Sequence, residues 1–263
     1  MADCEGRARA VSSDFDPGSY RPRPELLADR VILITGAGSG IGRAAALACA
    51  AYGARVILHG RTISKLEAVY DEILASGGQR PAIAPLNLLK AQGPDYFQLR
   101  DSIADEYGRL DGLLHNAGIL GDRTPIEQYE IGTWTEVMHV NLTVPFVLTQ
   151  LLMPLLNASG DASVVFTSSG VGRRGRAYWG AYAVSKFGIE GLAQVLADET
   201  ATAGRIRVNC INPGATRTAM RAAAYPAEDP NSLPAPEDIM PAYLYLLGPD
   251  SRGLTGASLD AQA

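Results

Sequence analysis

Val31-Ile32-Leu33-Ile34-Thr35-Gly36-Ala37-Gly38-Ser39-Gly40-Ile41-Gly42 is the stretch on which the fold turns. Its apolar run reads as a short strand buried on both faces, the pattern of a parallel sheet covered by helices. The glycines that follow allow a tight turn and remove the Cβ atoms that would hold a pyrophosphate away from the backbone. Gly42 and the alanines after Arg43 then open a helix that can lie close to the sheet. The start of that helix offers unpaired N–H groups and a positive dipole end to phosphate. No G-K-[ST] follows, which excludes a P-loop. Gly36, Ser39, Gly40, Ile41 and Gly42 are therefore candidate dinucleotide contacts.

Outward from this turn, short β-branched runs alternate with helical stretches. The strands are expected at Val31–Thr35, Arg55–His59, Pro81–Leu86, Gly112–Asn116, Ser163–Ser168, Ile206–Asn212 and Ser258–Asp260. The helices are expected at Ile41–Tyr52, Ser64–Ser76, Pro94–Tyr107, Thr133–Asn157, Tyr182–Ala203 and Pro236–Leu247. Such alternation predicts an α/β fold, a doubly wound parallel sheet in a single domain over 26–263. Residues 1–25 are expected to be a polar tail, ending in the proline-interrupted Arg21-Pro22-Arg23-Pro24.

The 263 residues carry 23 Lys+Arg against 28 Asp+Glu, a net charge of −5, which argues against a nucleic-acid partner. No run of about 18 apolar residues appears, so no membrane span is expected. Without an apolar leader, the expected location is the cytoplasm. Cys4, Cys49 and Cys210 are scattered and odd in number, which suits neither a disulfide framework nor a cysteine-built zinc site. No metal is expected.

Thr133–Asn157 has no Lys or Arg and a single acid, Glu136, and its apolar residues run around more than one stripe. A helix of that kind is buried on more than one side, as a core helix or against a second subunit. Pro145 predicts a kink, or a break with the helix proper starting there.

At the end of the second strand, Leu58-His59-Gly60-Arg61 has a glycine where a dinucleotide fold that prefers NAD presents an acid to the ribose. Gly60 leaves room for a 2′-phosphate and the Arg61 guanidinium can bind it, with Arg43 as a possible second cation. The plain alternative is a solvated loop arginine. Tyr182 and Lys186 lie at i and i+4 on one helix face, where an ammonium can stabilise a phenolate and lower its pKa. With three lysines and 11 tyrosines, chance supplies ~0.13 such pairs. Ser169, at the end of the fifth strand, lies where a doubly wound sheet holds its ligand crevice.

Together, the T-G-x-x-x-G-x-G loop, the Y-x-x-x-K pair and the serine 13 residues before the tyrosine resemble the short-chain dehydrogenase/reductase family. The resemblance covers Leu26 to the C-terminus and implies a Rossmann-type fold with seven parallel strands. It implies Tyr182 as general acid/base, Ser169 orienting the carbonyl, Lys186 on the nicotinamide ribose and Asn141 holding a water in a proton relay. His115-Asn116-Ala117-Gly118 resembles the family's N-N-A-G with its first asparagine replaced, so Asn116, Ala117 and Gly118 carry over as cofactor contacts. Pro213, Gly214, Thr216 and Thr218 resemble the segment that holds the nicotinamide carboxamide. Asn87 stands where many members place an aspartate against the adenine. The C-terminal Leu259-Asp260-Ala261-Gln262-Ala263 lacks the usual D-G-G. The stretches around Ser168–Tyr182 and Asn212–Arg221 are similar to the bacterial YciK-type branch, which implies NADP(H).

The expected activity is an NADP(H)-dependent oxidoreductase acting on a small carbonyl or alcohol. The alternatives are a ketoacyl-carrier-protein reductase, disfavoured by helices poor in basic residues, and a non-catalytic NADP-binding sensor. A homodimer or homotetramer through helices 133–157 and 182–203 is expected. Segment 216–236 is expected to be a substrate lid. Arg173, Arg174, Arg176, Arg217 and Arg221 flank the crevice, either to bind an anionic substrate or to pair with acids such as Glu228 and Asp229.

Overall fold

The computed structural model describes residues 15–263. Seven parallel strands form one sheet in the order β3-β2-β1-β4-β5-β6-β7. They are β1 (Val31–Thr35), β2 (Arg55–Gly60), β3 (Ala82–Pro85), β4 (Gly112–His115), β5 (Ala162–Thr167), β6 (Ile206–Asn212) and β7 (Ser258–Asp260). Every residue of β1 is buried. Its side chains alternate between two cores: Ile32 and Ile34 enter one, with the helices over 40–51, 63–75 and 240–247, and Val31 and Leu33 enter the other, with those over 93–107, 144–159 and 180–201. This double burial is why the strand reads as an unbroken apolar run. β3, at the edge, is shorter than the expected Pro81–Leu86 and only half-buried.

The helices are α1 (Gly40–Ala51), α2 (Ile63–Ala75), α3 (Gly93–Tyr107), α4 (Ile131–Met138), α5 (Val144–Ser159), α6 (Gly180–Ala201), α7 (Ala219–Ala224) and α8 (Met240–Leu247). The stretch expected as one helix over Thr133–Asn157 is interrupted. A π-turn at His139–Thr143 separates α4 from α5, and Pro145 occupies the first turn of α5. There its missing N–H costs nothing. Ile131–Ser159 has the length and mean hydropathy of a membrane span, 29 residues and 1.4, but half of that window is buried in the fold. It is a core helix pair of this sheet. α7 lies within the expected lid and was not foreseen, because six alanine-rich residues are too short to show a helical period. The helix expected at Pro236–Leu247 opens as a 3₁₀ turn, Pro236–Ile239, before α8.

Of the expected tail, residues 1–14 lie outside the described residues. The described part packs: Phe15 stacks on Tyr245 at 4.3 Å and Tyr20 donates to Asp250 at 2.8 Å. At the N-terminal ends of the strands, Asp161 accepts from Arg30, Arg207 and Arg252. Asp111 accepts from the Val31 N–H and from Ser159. These ties leave the opposite, C-terminal ends free for the site. β1 and β4 are neighbours whose chains run on in opposite directions across the sheet, which opens a crevice between their C-terminal ends.

Candidate active site

The turn after β1 follows the close approach that its glycines permit. Gly36 and Gly40 have φ of +72° and +53°, in the left-handed region. A Cβ at Gly42 would run into the Gly36 carbonyl and the Asn116 amide. Thr35 fixes this turn against β4, its hydroxyl accepting from the Asn116 and Ala117 N–H groups at 3.0 Å each. Asn116 Nδ2 donates to the Thr35 carbonyl at 3.3 Å. The cleft that results has a volume of about 240 Å³ and is bordered by Gly36, Ser39, Arg61, Asn87, Ala117 and Gly118. Asn87 Oδ1 also accepts from the Leu89 N–H at 3.1 Å.

The same cleft is bordered by Thr62, Lys65, Ile119 and Val140, none of them singled out from sequence. Lys65 had a signal that could have been read: it is one of three lysines and lies four residues after Arg61. Arg43, considered as a second cation, pairs instead with Glu72 at 2.5 Å and Glu237 at 3.7 Å.

Asn141 stands in the π-turn between α4 and α5. Its Oδ1 accepts from the Ile119 N–H at 2.8 Å, and its Nδ2 donates to the Ile119 carbonyl at 2.9 Å and the Ser185 hydroxyl at 3.1 Å. Lys186, buried on α6, donates through Nζ to the Thr167 carbonyl at 2.8 Å. A Cβ on Gly118 would stand 3.3 Å from Asn141 Oδ1 and 3.8 Å from Lys186 Nζ, so the loop after β4, the π-turn and α6 meet there. Lys186 Nζ is 5.5 Å from the centre of the Tyr182 ring. Ser169 follows β5 in extended backbone and precedes a 3₁₀ turn.

Burial shifts both members of the Tyr182–Lys186 pair. Tyr182 is pushed up to about 12 by desolvation, with the hydrogen bond from Ser169 pulling the other way. Lys186 is pushed down to about 8 by its burial, which Cys210 and Glu190 oppose. Desolvation penalises the charged form of each group, and for Tyr182 it outweighs the hydrogen bond from Ser169. The phenol is therefore a protonated donor at neutral pH. Two histidines at the strand ends are held neutral: burial lowers His59 to about 4 and His115 to about 3. His115 bonds Thr149 at 2.8 Å and stacks on Phe166.

The loop after β6 closes the other side. Gly214 has a φ of +69°. Gln262 Nε2 donates to the Pro213 and Ala215 carbonyls and to the Thr216 hydroxyl at 2.7, 3.1 and 3.2 Å. In place of the D-G-G ending, Gln262 thus braces this loop, and Thr216 is buried in the brace. Thr218 caps α7 by accepting from the Arg221 N–H, and its methyl would lie 3.5 Å from a Cβ on Gly40, so this loop reaches the turn after β1.

A parallel sheet with a glycine turn after β1, and a serine, a tyrosine and a lysine gathered at its C-terminal edge, defines a Rossmann-type oxidoreductase. The chain belongs to the short-chain dehydrogenase/reductase family: the family model described as short chain dehydrogenase matches residues 30–229. It is 55% identical to the oxidoreductase YciK of Escherichia coli over 92% of this chain and 96% of that protein. A short chain dehydrogenase structure from Pseudomonas syringae shares 57% identity, covering 94% of this chain and 99% of that one, with a TM-score of 0.92. Another, from Shigella flexneri and complexed with NADP, shares 54% identity over 92% of this chain and 100% of that one, with a TM-score of 0.89.

Proposed function

We propose that the chain transfers hydride between NADP(H) and a small carbonyl or alcohol substrate, with Tyr182 as the general acid/base. The observation that supports this reading is that Asn141 and Lys186 meet at Gly118, which borders the glycine-floored cleft, with Lys186 beside the Tyr182 ring and Ser169 against Tyr182. The cleft suits a dinucleotide, because side chains at Gly36 and Gly42 would fill the space beside Asn116 and Ala117. Gly60 with Arg61 and Lys65 offers room and two cations to a 2′-phosphate, matching the NADP held by the Shigella relative.

Bound nicotinamide supplies the hydride chemistry; the protein supplies position and the proton. Tyr182, protonated, gives its Oη proton to the carbonyl oxygen in reduction and takes it back in oxidation. Ser169 holds that oxygen in line. Lys186 stands behind the tyrosine, and the Asn141–Ile119 pair anchors the path by which the proton is replaced. Tyr182→Phe is expected to keep NADPH affinity and lose turnover by about 10²–10⁴-fold, the share a positioned acid contributes. NADPH oxidation over a panel of ketones, aldehydes, quinones and keto acids checks this. Full activity in the variant excludes the mechanism, and tight NADPH binding without turnover of any compound favours a dinucleotide sensor.

We also infer that the protein is a homo-oligomer through α5 and α6. Phe146, Val184, Phe187 and Val195 on these helices are exposed, and Val147, Leu151, Met153 and Leu192 are only half-buried.

A further inference from the structure

Beside Ser169 lies a second, open cleft of about 640 Å³, whose charge differs from that of the molecule. Arg174, Arg176 and Arg221 border it together with Ser169, Trp179 and Tyr225, and no Asp or Glu does. The chain as a whole has a net charge of −5. Some of the nearby cations are already matched. Glu228 holds Arg221 through two hydrogen bonds of 2.6 Å. Asp260 and Glu190 take Arg173 at 2.8 and 3.6 Å.

Arg174, Arg176 and Arg123 form no ion pair within 4.0 Å among the described residues. Arg176 donates to the Tyr225 hydroxyl at 2.9 Å. Arg123 lies over the Trp179 and Tyr225 rings at 4.8 and 4.9 Å. Trp179 is 7% exposed, and its indole N–H has no acceptor. The cleft thus presents the exposed guanidiniums of Arg174 and Arg176, and no carboxylate borders it. That combination recognises a planar or tetrahedral oxyanion joined to a carbon skeleton. Trp179 is also 5.7 Å from the Tyr182 ring, so a small molecule can reach both.

Resting on the reductase reading above, we propose that the carbonyl substrate carries an anionic group, a carboxylate or a phosphate ester. Arg174 and Arg176 bind that group while the carbonyl lies at Ser169 and Tyr182. Arg173 and Arg221, which the sequence places in the same two segments, do not take part, because acids already hold them.

The test uses the full chain, saturated with NADP⁺ for binding and supplied with NADPH for turnover, and two matched pairs: phenylglyoxylate with its methyl ester, and dihydroxyacetone phosphate with dihydroxyacetone. Binding is read by the fluorescence of Trp134 and Trp179, and turnover by NADPH oxidation. In one pair the anionic member is expected to bind, and to be reduced by kcat/KM, at least tenfold better than its neutral partner. Which pair shows this distinguishes a carboxylate from a phosphate ester. Arg176→Ala is expected to bring the ratio close to one and Arg176→Lys to restore part of it, with NADPH affinity reporting that each variant is folded. If Arg176→Ala does not fold, Arg174→Gln carries the same expectation. Equal affinity for both members of each pair overturns the proposal, as does a preference that survives both substitutions. Reduction of neutral carbonyls without any anion preference leaves the reductase reading standing and removes this one. Arginine-dependent anion binding without Tyr182-dependent turnover keeps the anion site and removes the reductase reading.

Discussion

At the scale of single residues, the proposed function assigns cofactor choice to a glycine and two cations. Gly60 carries no carboxylate to repel a 2′-phosphate, and Arg61 and Lys65 border the cleft beside it. A hydrogen bond to a charged group contributes about 1.5–3 kcal/mol, so removing both cations is expected to lower kcat/KM for NADPH by at least tenfold. NADH, which lacks that phosphate, is expected to change little. The ratio of the two rates in Arg61→Ala with Lys65→Ala is the measurement, and an unchanged ratio would refute the assignment. The sequence drew attention to Arg61 through its place after Gly60. Lys65 escaped, because only the first turn of α2 brings it back over the glycine loop, where a Cβ on Gly38 would stand 3.0 Å from Lys65 Cβ.

At the scale of elements, the π-turn between α4 and α5 decides where Asn141 sits. A π-turn inserts an extra residue into the helical ladder and is common where a side chain has a task. Here it gives the Asn141 amide both backbone groups of Ile119 to bond, which ties the loop after β4 to α6 through Ser185. Asn141→Ala leaves those groups without partners. We expect a loss of about 1–3 kcal/mol in unfolding free energy together with reduced turnover. Urea unfolding of the variant beside its kcat separates the two effects. A variant as stable and as active as the parent would show that the amide merely fills space. Pro145 signals the break in the sequence, but the type of turn is set by the contacts on either side.

At the scale of the whole molecule, one acid at the closed end of the sheet joins three strands' worth of chain. Burial acts to raise Asp161, but Arg207, Arg252 and Arg30 outweigh it and hold its pKa below the ordinary value. A carboxylate lowered in the folded state contributes stability above its unfolded pKa of about 4, and that contribution is lost as pH falls through the folded value. Asp161→Asn is expected to cost about 2–3 kcal/mol at neutral pH, because Arg207 and Arg30 are largely buried and lose their counter-charge. The figure is below that for a fully buried pair because Asp161 itself is 24% exposed. Unfolding measured from pH 7 to pH 3 is expected to show a flatter acid limb in the variant; parallel curves would contradict this. The outer faces of α5 and α6 make a second prediction. Phe187→Glu is expected to lower the oligomeric mass seen by sedimentation, and an unchanged mass places the interface elsewhere.

The chain's own order determined most of this architecture. A run buried on both faces must be apolar, which makes β1 legible along its whole length; β6 and β7 also begin and end where the sequence places them, although β6 carries Arg207 and Asn209 and β7 buries only Leu259. The glycine turn and the Tyr182–Lys186 spacing are local features, fixed within a few residues, and were legible for that reason. Other features depend on partners distant in sequence. The brace of the β6 loop by Gln262, and the division of the arginines into matched and unmatched, arise from pairs some 7 to 87 residues apart. The pKa of Tyr182 is of the same kind: spacing alone predicts that Lys186 lowers it, while the depth of burial, which belongs to the folded molecule, raises it. Local geometry follows from the bonds along the chain, whereas desolvation and charge pairing are set by what the fold brings alongside.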